Sequence, residues 1–281
     1  MNDAAFYDRE YNARAMVPDH PQIYARRAER SARARATMTC YLDRQYGAGP
    51  GETLDIFPAR KGDGSVLMFI HGGYWRSLDK RDFSFLAPAC VDAGVSLVLV
   101  NYDLCPAVTL EEIVCQMLRA SGWLYLHAED YGADQDRLHV AGHSAGAHLT
   151  AMMMAALWPV FDRRLPRDLY KGALAVSGIY DMRPLMHAHF LSDLNLDEAT
   201  AFKLSPAFVP PATRAPVYTC VGGLESAEFK RQNTLLGQRW KSVVAADIPM
   251  PGFNHMSVID ELGNPASPLF AGAKKMMKLD R

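Results

Sequence analysis

The sequence predicts one α/β domain built on a mostly parallel sheet with helices on both faces, and three observations lead there. Apolar runs at 66–70, 95–100, 172–179, 216–221 and 243–248 are continuous rather than alternating, as in strands buried on both faces. Between them lie segments of helical length, the alternation that builds parallel sheets from strand–helix–strand units. No internal repeat, low-complexity tract or linker divides the 281 residues, a length within reach of a single α/β domain.

Taken in order, residues 1–37 are polar and carry Arg26, Arg27, Arg30, Arg33 and Arg35. They read as a helical arm over the domain. Arg26, Arg30 and Arg33 share one helical face, and alanines at 25, 28, 32 and 36 favour the helix. A solvated face is preferred here to an anion-binding arm. Runs 39–46 and 53–57 form a hairpin around the glycine-rich linker 47–51. The strand at 66–70 ends in His71-Gly72-Gly73-Tyr74-Trp75, followed by a helix over 79–93 that Gly94 closes. After the strand at 95–100, Thr109 caps a helix reaching Tyr131, with Glu112 three residues on. A short apolar run, 137–141, enters a Gly-x-Ser-x-Gly turn at 142–146 and leaves in a helix over 145–157. The stretch 181–214 has no strand and is rich in Pro, His and Leu, as a cap inserted over a site is. The strand at 216–221, a helix over 226–240, the strand at 243–248, a turn at 249–254 and a helical remainder complete the chain.

Composition narrows the function. The 49 % apolar and 22 % charged content suits a globular core, and a formal net charge of −1 offers nothing to attract nucleic acid or an anionic membrane. Five cysteines (Cys40, Cys90, Cys105, Cys115, Cys220) are odd in number and lack C-x-x-C spacing, which fits unpaired thiols in a reducing compartment. Residues 1–10 show no basic-then-apolar signal pattern, and the most apolar stretch, 145–161, is interrupted by His148 and Pro159. The expectation is a soluble cytoplasmic protein acting on a small molecule, with a homodimer left open.

The chemistry centres on Ser144. A serine on a strand–turn–helix elbow projects its hydroxyl above the sheet, and small residues at 142 and 146 let strand and helix cross closely. The bland alternative is a turn that only connects two elements. A serine hydroxyl needs a base, itself oriented by a third group, and on such sheets acid and then base follow the serine. His20, His71, His127 and His139 precede Ser144; His148 packs on the same helix; His187 and His189 lie in the cap without a third metal ligand. His255, in the turn after the last strand, is the candidate base. Glu225, just past the strand at 216–221, is favoured as the acid over Glu228, which sits where a carboxylate simply complements a helix start. The glycines after His71 let backbone N–H groups approach a carbonyl oxygen, and Ala145 supplies another donor. Tyr74, Trp75 and Phe253 flank this centre and could hold an aromatic group; packing alone is an equal alternative. No cofactor is called for, and no Cys/His/carboxylate set has metal-ligand spacing.

Together, His71-Gly72-Gly73-Tyr74-Trp75, Gly142-His143-Ser144-Ala145-Gly146-Ala147-His148-Leu149, Glu225-Ser226-Ala227-Glu228-Phe229 and Asn254-His255-Met256-Ser257-Val258 resemble the kynurenine formamidases (arylformamidases) of the α/β-hydrolase fold. More distantly they resemble hormone-sensitive-lipase-like esterases. The likeness runs from Leu54 to the end of the chain. It implies that the backbone N–H groups of Gly73 and Tyr74 join Ala145 in an oxyanion hole. It also implies hydrolysis of N-formylkynurenine to kynurenine and formate, with other aryl amides and esters as substrates of relatives. Glu225 stands where the family commonly has an aspartate, a departure that adds one methylene. A broad aryl carboxylesterase is the alternative. A non-catalytic ligand receptor of the same fold is disfavoured because all three triad candidates are present.

Overall fold

The computed structural model describes residues 3–279. The arm is three helices, α1 (Ala4–Tyr11), α2 (Ala13–Met16) and α3 (His20–Thr37). Next come β1 (Tyr41–Gln45), β2 (Thr53–Phe57), β3 (Val66–Ile70), α4 (Ala87–Asp92), β4 (Ser96–Val100) and α5 (Leu110–His127). The elbow joins β5 (Leu138–His143) to α6 (Ala145–Met154), with α7 (Trp158–Phe161) and β6 (Ala173–Val176) after it. The chain ends through α8 (Glu198–Lys203), β7 (Val217–Gly222), α9 (Ala227–Arg239), β8 (Val244–Met250) and α10 (Pro268–Met276).

Among the described residues eight strands form one sheet in the order β1-β2-β4-β3-β5-β6-β7-β8. Only β1/β2 and β2/β4 pair antiparallel; every pair from β4 to β8 is parallel. Strand periodicity divides the core. Val66, Met68 and Ile70 pack on one face of β3, while Leu67 and Phe69 pack on the other. Both faces are covered, which is why the sequence shows unbroken apolar runs. This is the α/β-hydrolase architecture.

Element boundaries departed from expectation where local chemistry intervened. The helix expected over 79–93 is a 3₁₀ run, Lys80–Leu86, followed by α4. Pro88 lies in the first turn of α4, where its missing N–H is tolerated and continuation of an earlier helix is not. The strand expected over 172–179 stops at Val176 because Ser177 takes φ 53°. The last strand, β8, is only half buried because it forms the sheet edge. The 181–214 segment contains short helical turns and no strand.

The arm is anchored rather than loose. Tyr11, Ala13, Val17 and Ile23 are buried in the main core. The Tyr11 hydroxyl donates to Glu228 Oε2 at 2.7 Å and accepts from Gln232 Nε2 at 2.8 Å. The arginines split between faces. Arg26, Arg30 and Arg33 are exposed, as expected, but Arg27 lies on the inward stripe with Ile23, Ser31 and Ala34.

Candidate active site

The site lies where parallel sheets bind ligands, beyond the carboxyl ends of the strands. Register brings its parts together. Ile70 of β3 pairs with Gly142 of β5, so the 71–75 loop and the serine elbow leave the sheet side by side. A Cβ at Gly146 would stand 1.9 Å from the Ile70 carbonyl oxygen, and one at Gly142 would stand 2.2 Å from that of Gly146. Glycine is therefore required at both crossings. Ser144 itself sits at φ 57°, ψ −120°, a strained conformation for a residue with a side chain.

His255 Nδ1 lies 2.6 Å from Glu225 Oε2. Glu225 Oε1 accepts from Ser177 Oγ at 2.5 Å and from the Gly222 N–H at 2.7 Å. Three donors thus converge on one buried carboxylate, and the strained Ser177 backbone delivers one of them. Glu228 is elsewhere: it takes Arg231 in a two-pronged ion pair and the Tyr11 hydroxyl. Ser144 and His255 line one cavity of about 300 Å³, at the small end of the roughly 300–1,000 Å³ of small-molecule sites. No Ser144–His255 hydrogen bond forms among the described residues. In ligand-free sites such bonds are often long and tighten on binding.

The loop that faces Ser144 is held from behind. Gly73 and Tyr74 have φ of 109° and 54°. The Gly72 carbonyl oxygen faces His71 Nδ1 at 2.8 Å, and the Gly73 carbonyl accepts from Ser77 Oγ at 2.9 Å and Arg76 N at 3.2 Å. A planar trans peptide points C=O and N–H in opposite directions. The N–H groups of Gly73 and Tyr74 are therefore turned away from these partners, and both residues line the cavity. At the other wall, the Ser144 carbonyl is engaged by Ala147 N and His148 N, and among the described residues the Ala145 N–H, first in α6, has no acceptor. His71 is wholly buried and stacked on Tyr102 at 4.3 Å, a support for the loop rather than part of the cavity. Burial lowers its pKa.

Two of the three expected aromatics do not line the cavity. Trp75 is 0 % exposed and meets His148 edge-on at 5.0 Å, beneath the loop. Phe253 is half-buried against the core cluster that holds Ile248 and Met250, outside the cavity lining. Tyr74 does line the cavity, its hydroxyl donating to the Tyr11 carbonyl and its ring edge-on to Phe190 at 5.6 Å. The 181–214 segment contributes Phe190 to the wall, whereas the arm contributes Asn12, Ala13, Arg14, Tyr24 and Arg27. A period-2 or helical pattern cannot reveal this, because it depends on how the arm folds back.

Other residues at the site went unremarked in the sequence. His143, the variable residue of the elbow motif, donates from Nε2 to the His255 carbonyl at 2.9 Å, and its ring lies 4.7 Å from that of His255. Burial first, then the neighbouring His255 and Arg27, holds its pKa well below the usual histidine value, so it stays neutral. Arg27, 4 % exposed, pairs with Asp260 at 2.6 Å and donates to the Met256 carbonyl. His143 and Arg27 thus grip two consecutive carbonyls of the turn that carries His255. The stripe of 23, 27, 31 and 34 was the available signal for Arg27. Among the described residues no three His, Cys, Asp or Glu side chains cluster as a metal site would require, and no helix is long and apolar enough to cross a membrane.

Comparison with known proteins identifies the family. The BD-FAE family model matches residues 54–184. A kynurenine formamidase of Salmo salar is 30 % identical over 247 residues, 83 % of this chain and 81 % of that protein. One of Danio rerio is 30 % identical over 82 % of this chain and 79 % of its own length. A solved structure from Silicibacter sp., provisionally described as a thioesterase, superposes with a TM-score of 0.82 at 28 % identity, covering 94 % of this chain and 97 % of its own. The chain is a serine hydrolase of the α/β-hydrolase fold and belongs to the kynurenine formamidase family.

Proposed function

We infer that the protein hydrolyses a small aryl formamide, N-formylkynurenine being the substrate best matched, through an acyl-enzyme formed on Ser144. The observation that carries this reading is the buried Glu225–His255 pair at 2.6 Å sharing a small cavity with Ser144 and the Gly73–Tyr74 loop. Ser144 Oγ attacks the formyl carbon while His255 Nε2 takes its proton. Glu225 holds Nδ1–H and stabilises the imidazolium that forms. The oxyanion accepts hydrogen bonds from the N–H groups of Gly73, Tyr74 and Ala145. Collapse breaks the C–N bond as His255 returns the proton to the aniline nitrogen. Water, deprotonated by the same histidine, then releases formate and frees Ser144.

The large part of an aryl formamide is its leaving group, and the arm-roofed cavity with Tyr24, Tyr74 and Phe190 suits an arene on that side. Formyl or acetyl groups are therefore expected to be preferred over butyryl and longer ones, and aryl over alkyl leaving groups. The test is kcat/KM for N-formylkynurenine against aryl acetates. A value of roughly 10⁴ M⁻¹s⁻¹ or more on the formamide supports the reading. Good turnover of aryl acetates with background turnover of N-formylkynurenine replaces it with an aryl esterase.

A further inference from the structure

The cavity over Ser144 has an unbalanced charge lining. Arg14, Arg27 and Arg76 all reach its wall, and among the described residues no Asp or Glu does, although the whole chain carries a formal net charge of −1. Two of the three guanidinium groups are already answered. Arg27 pairs with Asp260 at 2.6 Å, and Arg76 pairs with Asp193 at 2.7 Å. Arg14 is different: among the described residues it has no carboxylate partner. Its Nη2 donates to Ser77 Oγ at 2.9 Å, and Ser77 Oγ donates in turn to the Gly73 carbonyl at 2.9 Å. A neutral hydroxyl thus ties an exposed guanidinium, without a carboxylate partner among the described residues, to the very loop that faces the reacting carbonyl.

We propose that this is a carboxylate subsite for the leaving group, with Arg14 as its principal contact and Arg76 as a second. This rests on the acyl-transfer reading above and narrows it to aryl substrates bearing a carboxylate beyond the ring. The planar guanidinium can grip a carboxylate through two parallel hydrogen bonds. Tyr74 and Phe190, edge-on to each other, stand on the same wall, and the Arg76 guanidinium lies 5.7 Å from the Phe190 ring centre. An arene between Ser144 and the arginines therefore meets apolar surface on its way to a positive end. Among the described residues no acidic group lines the cavity to receive an ammonium, so a carboxylate matters to recognition and an α-amino group does not. Because α2 and the loop after β3 supply the two halves, the subsite exists only when the arm is folded down.

The experiment compares Arg14→Gln with the parent on four substrates: N-formylkynurenine, its decarboxylated analogue, and a matched pair of aryl acetates with and without a carboxylate on the leaving group. The ratio of kcat/KM between carboxylated and neutral partners should collapse by about 10- to 100-fold, the span of a charge-assisted contact. The loss should appear in KM, since the contact is made equally in the ground and transition states. Arg14→Lys should recover part of it, and added salt should erode the parent's preference. An unchanged ratio in Arg14→Gln, or a parent that prefers the neutral partner, overturns the subsite. The acetate pair separates the two readings. If it loses its preference in Arg14→Gln while N-formylkynurenine is never cleaved, the subsite stands and the formamidase reading falls. If N-formylkynurenine is cleaved well and the Arg14→Gln ratios are unmoved, the reverse holds.

Discussion

His255 Nδ1 and Glu225 Oε2 meet at 2.6 Å with both side chains withdrawn from solvent, although 30 residues separate them in the chain. The meeting depends on the loops beyond β7 and β8 being zipped together. Gly223 N bonds the Met250 carbonyl at 2.8 Å, and Leu224 N bonds the Phe253 carbonyl at 3.0 Å. A carboxylate leaving β7 and a histidine leaving β8 are thereby brought to one point. The extra methylene of a glutamate is accommodated because Ser177 and Gly222 hold its other oxygen.

Glu225→Gln should cost up to about 10⁴ in kcat. The amide oxygen would keep the two donors on Oε1, turning an NH₂ toward His255 Nδ1 and forcing the ring proton onto Nε2, where the base lone pair is needed. Glu228→Gln should instead weaken the fold by about 1–2 kcal/mol, through the Arg231 and Tyr11 contacts, with kcat within tenfold of the parent. Steady-state kinetics and urea melts of both variants check this; the reverse pattern reassigns the acid.

Ser144→Ala should lose on the order of 10⁴–10⁶ in kcat while remaining folded. Removing Oγ also removes little packing, so its melting curve should overlay the parent's. The parent, but not the variant, should show a burst with an activated aryl ester. The proposed chemistry runs through Ser144 and His255 without a metal, so chelators should leave turnover intact. A folded alanine variant within tenfold of the parent would falsify the nucleophile assignment.

Stability should fall on acidification through a defined window. Burial lowers the pKa of His139 and of His148 from 6.5 to about 4. Between those values the unfolded chain binds protons that the folded one refuses, so unfolding is favoured as pH falls from about 6.5 to about 4, and stability is fullest above it. His139 and His148 each contribute on the order of 3 kcal/mol to that loss. Urea midpoints measured across the window should drop steeply in the parent and less steeply in His148→Gln. An identical slope in the variant removes His148 from the account.

Arg27→Met should destabilise the protein by about 2–4 kcal/mol, because it leaves Asp260 without its partner and frees the Met256 carbonyl. It should also lower kcat, since the turn carrying His255 would then be gripped by His143 alone. Arg27→Lys should not restore both contacts, which come from separate nitrogens of one planar group. Denaturation and kinetics together decide the matter: lost stability with an unaltered kcat makes Arg27 a structural anchor only.

Much of this molecule is readable from local pattern alone. Strand and helix periodicities, the crossing glycines at 142 and 146, and the order serine, acid, base all lie along the chain. They determined the parallel sheet, the elbow and the candidates Ser144, Glu225 and His255, because parallel topology sends every such loop to the same end of the sheet. Tertiary structure decided what sits across from them. Trp75 is neighbour to Tyr74 in sequence, yet a backbone with positive φ at both residues turns one ring into the core and leaves the other at the cavity. Arg27 and Arg14 belong to an arm whose polar composition reads as solvated surface, and only its packing against residues 77–86 and the turn that carries His255 makes them walls of the site. Local pattern records which face of an element is apolar. It does not record which distant segment comes to cover it, because that is set by packing between residues with no fixed spacing.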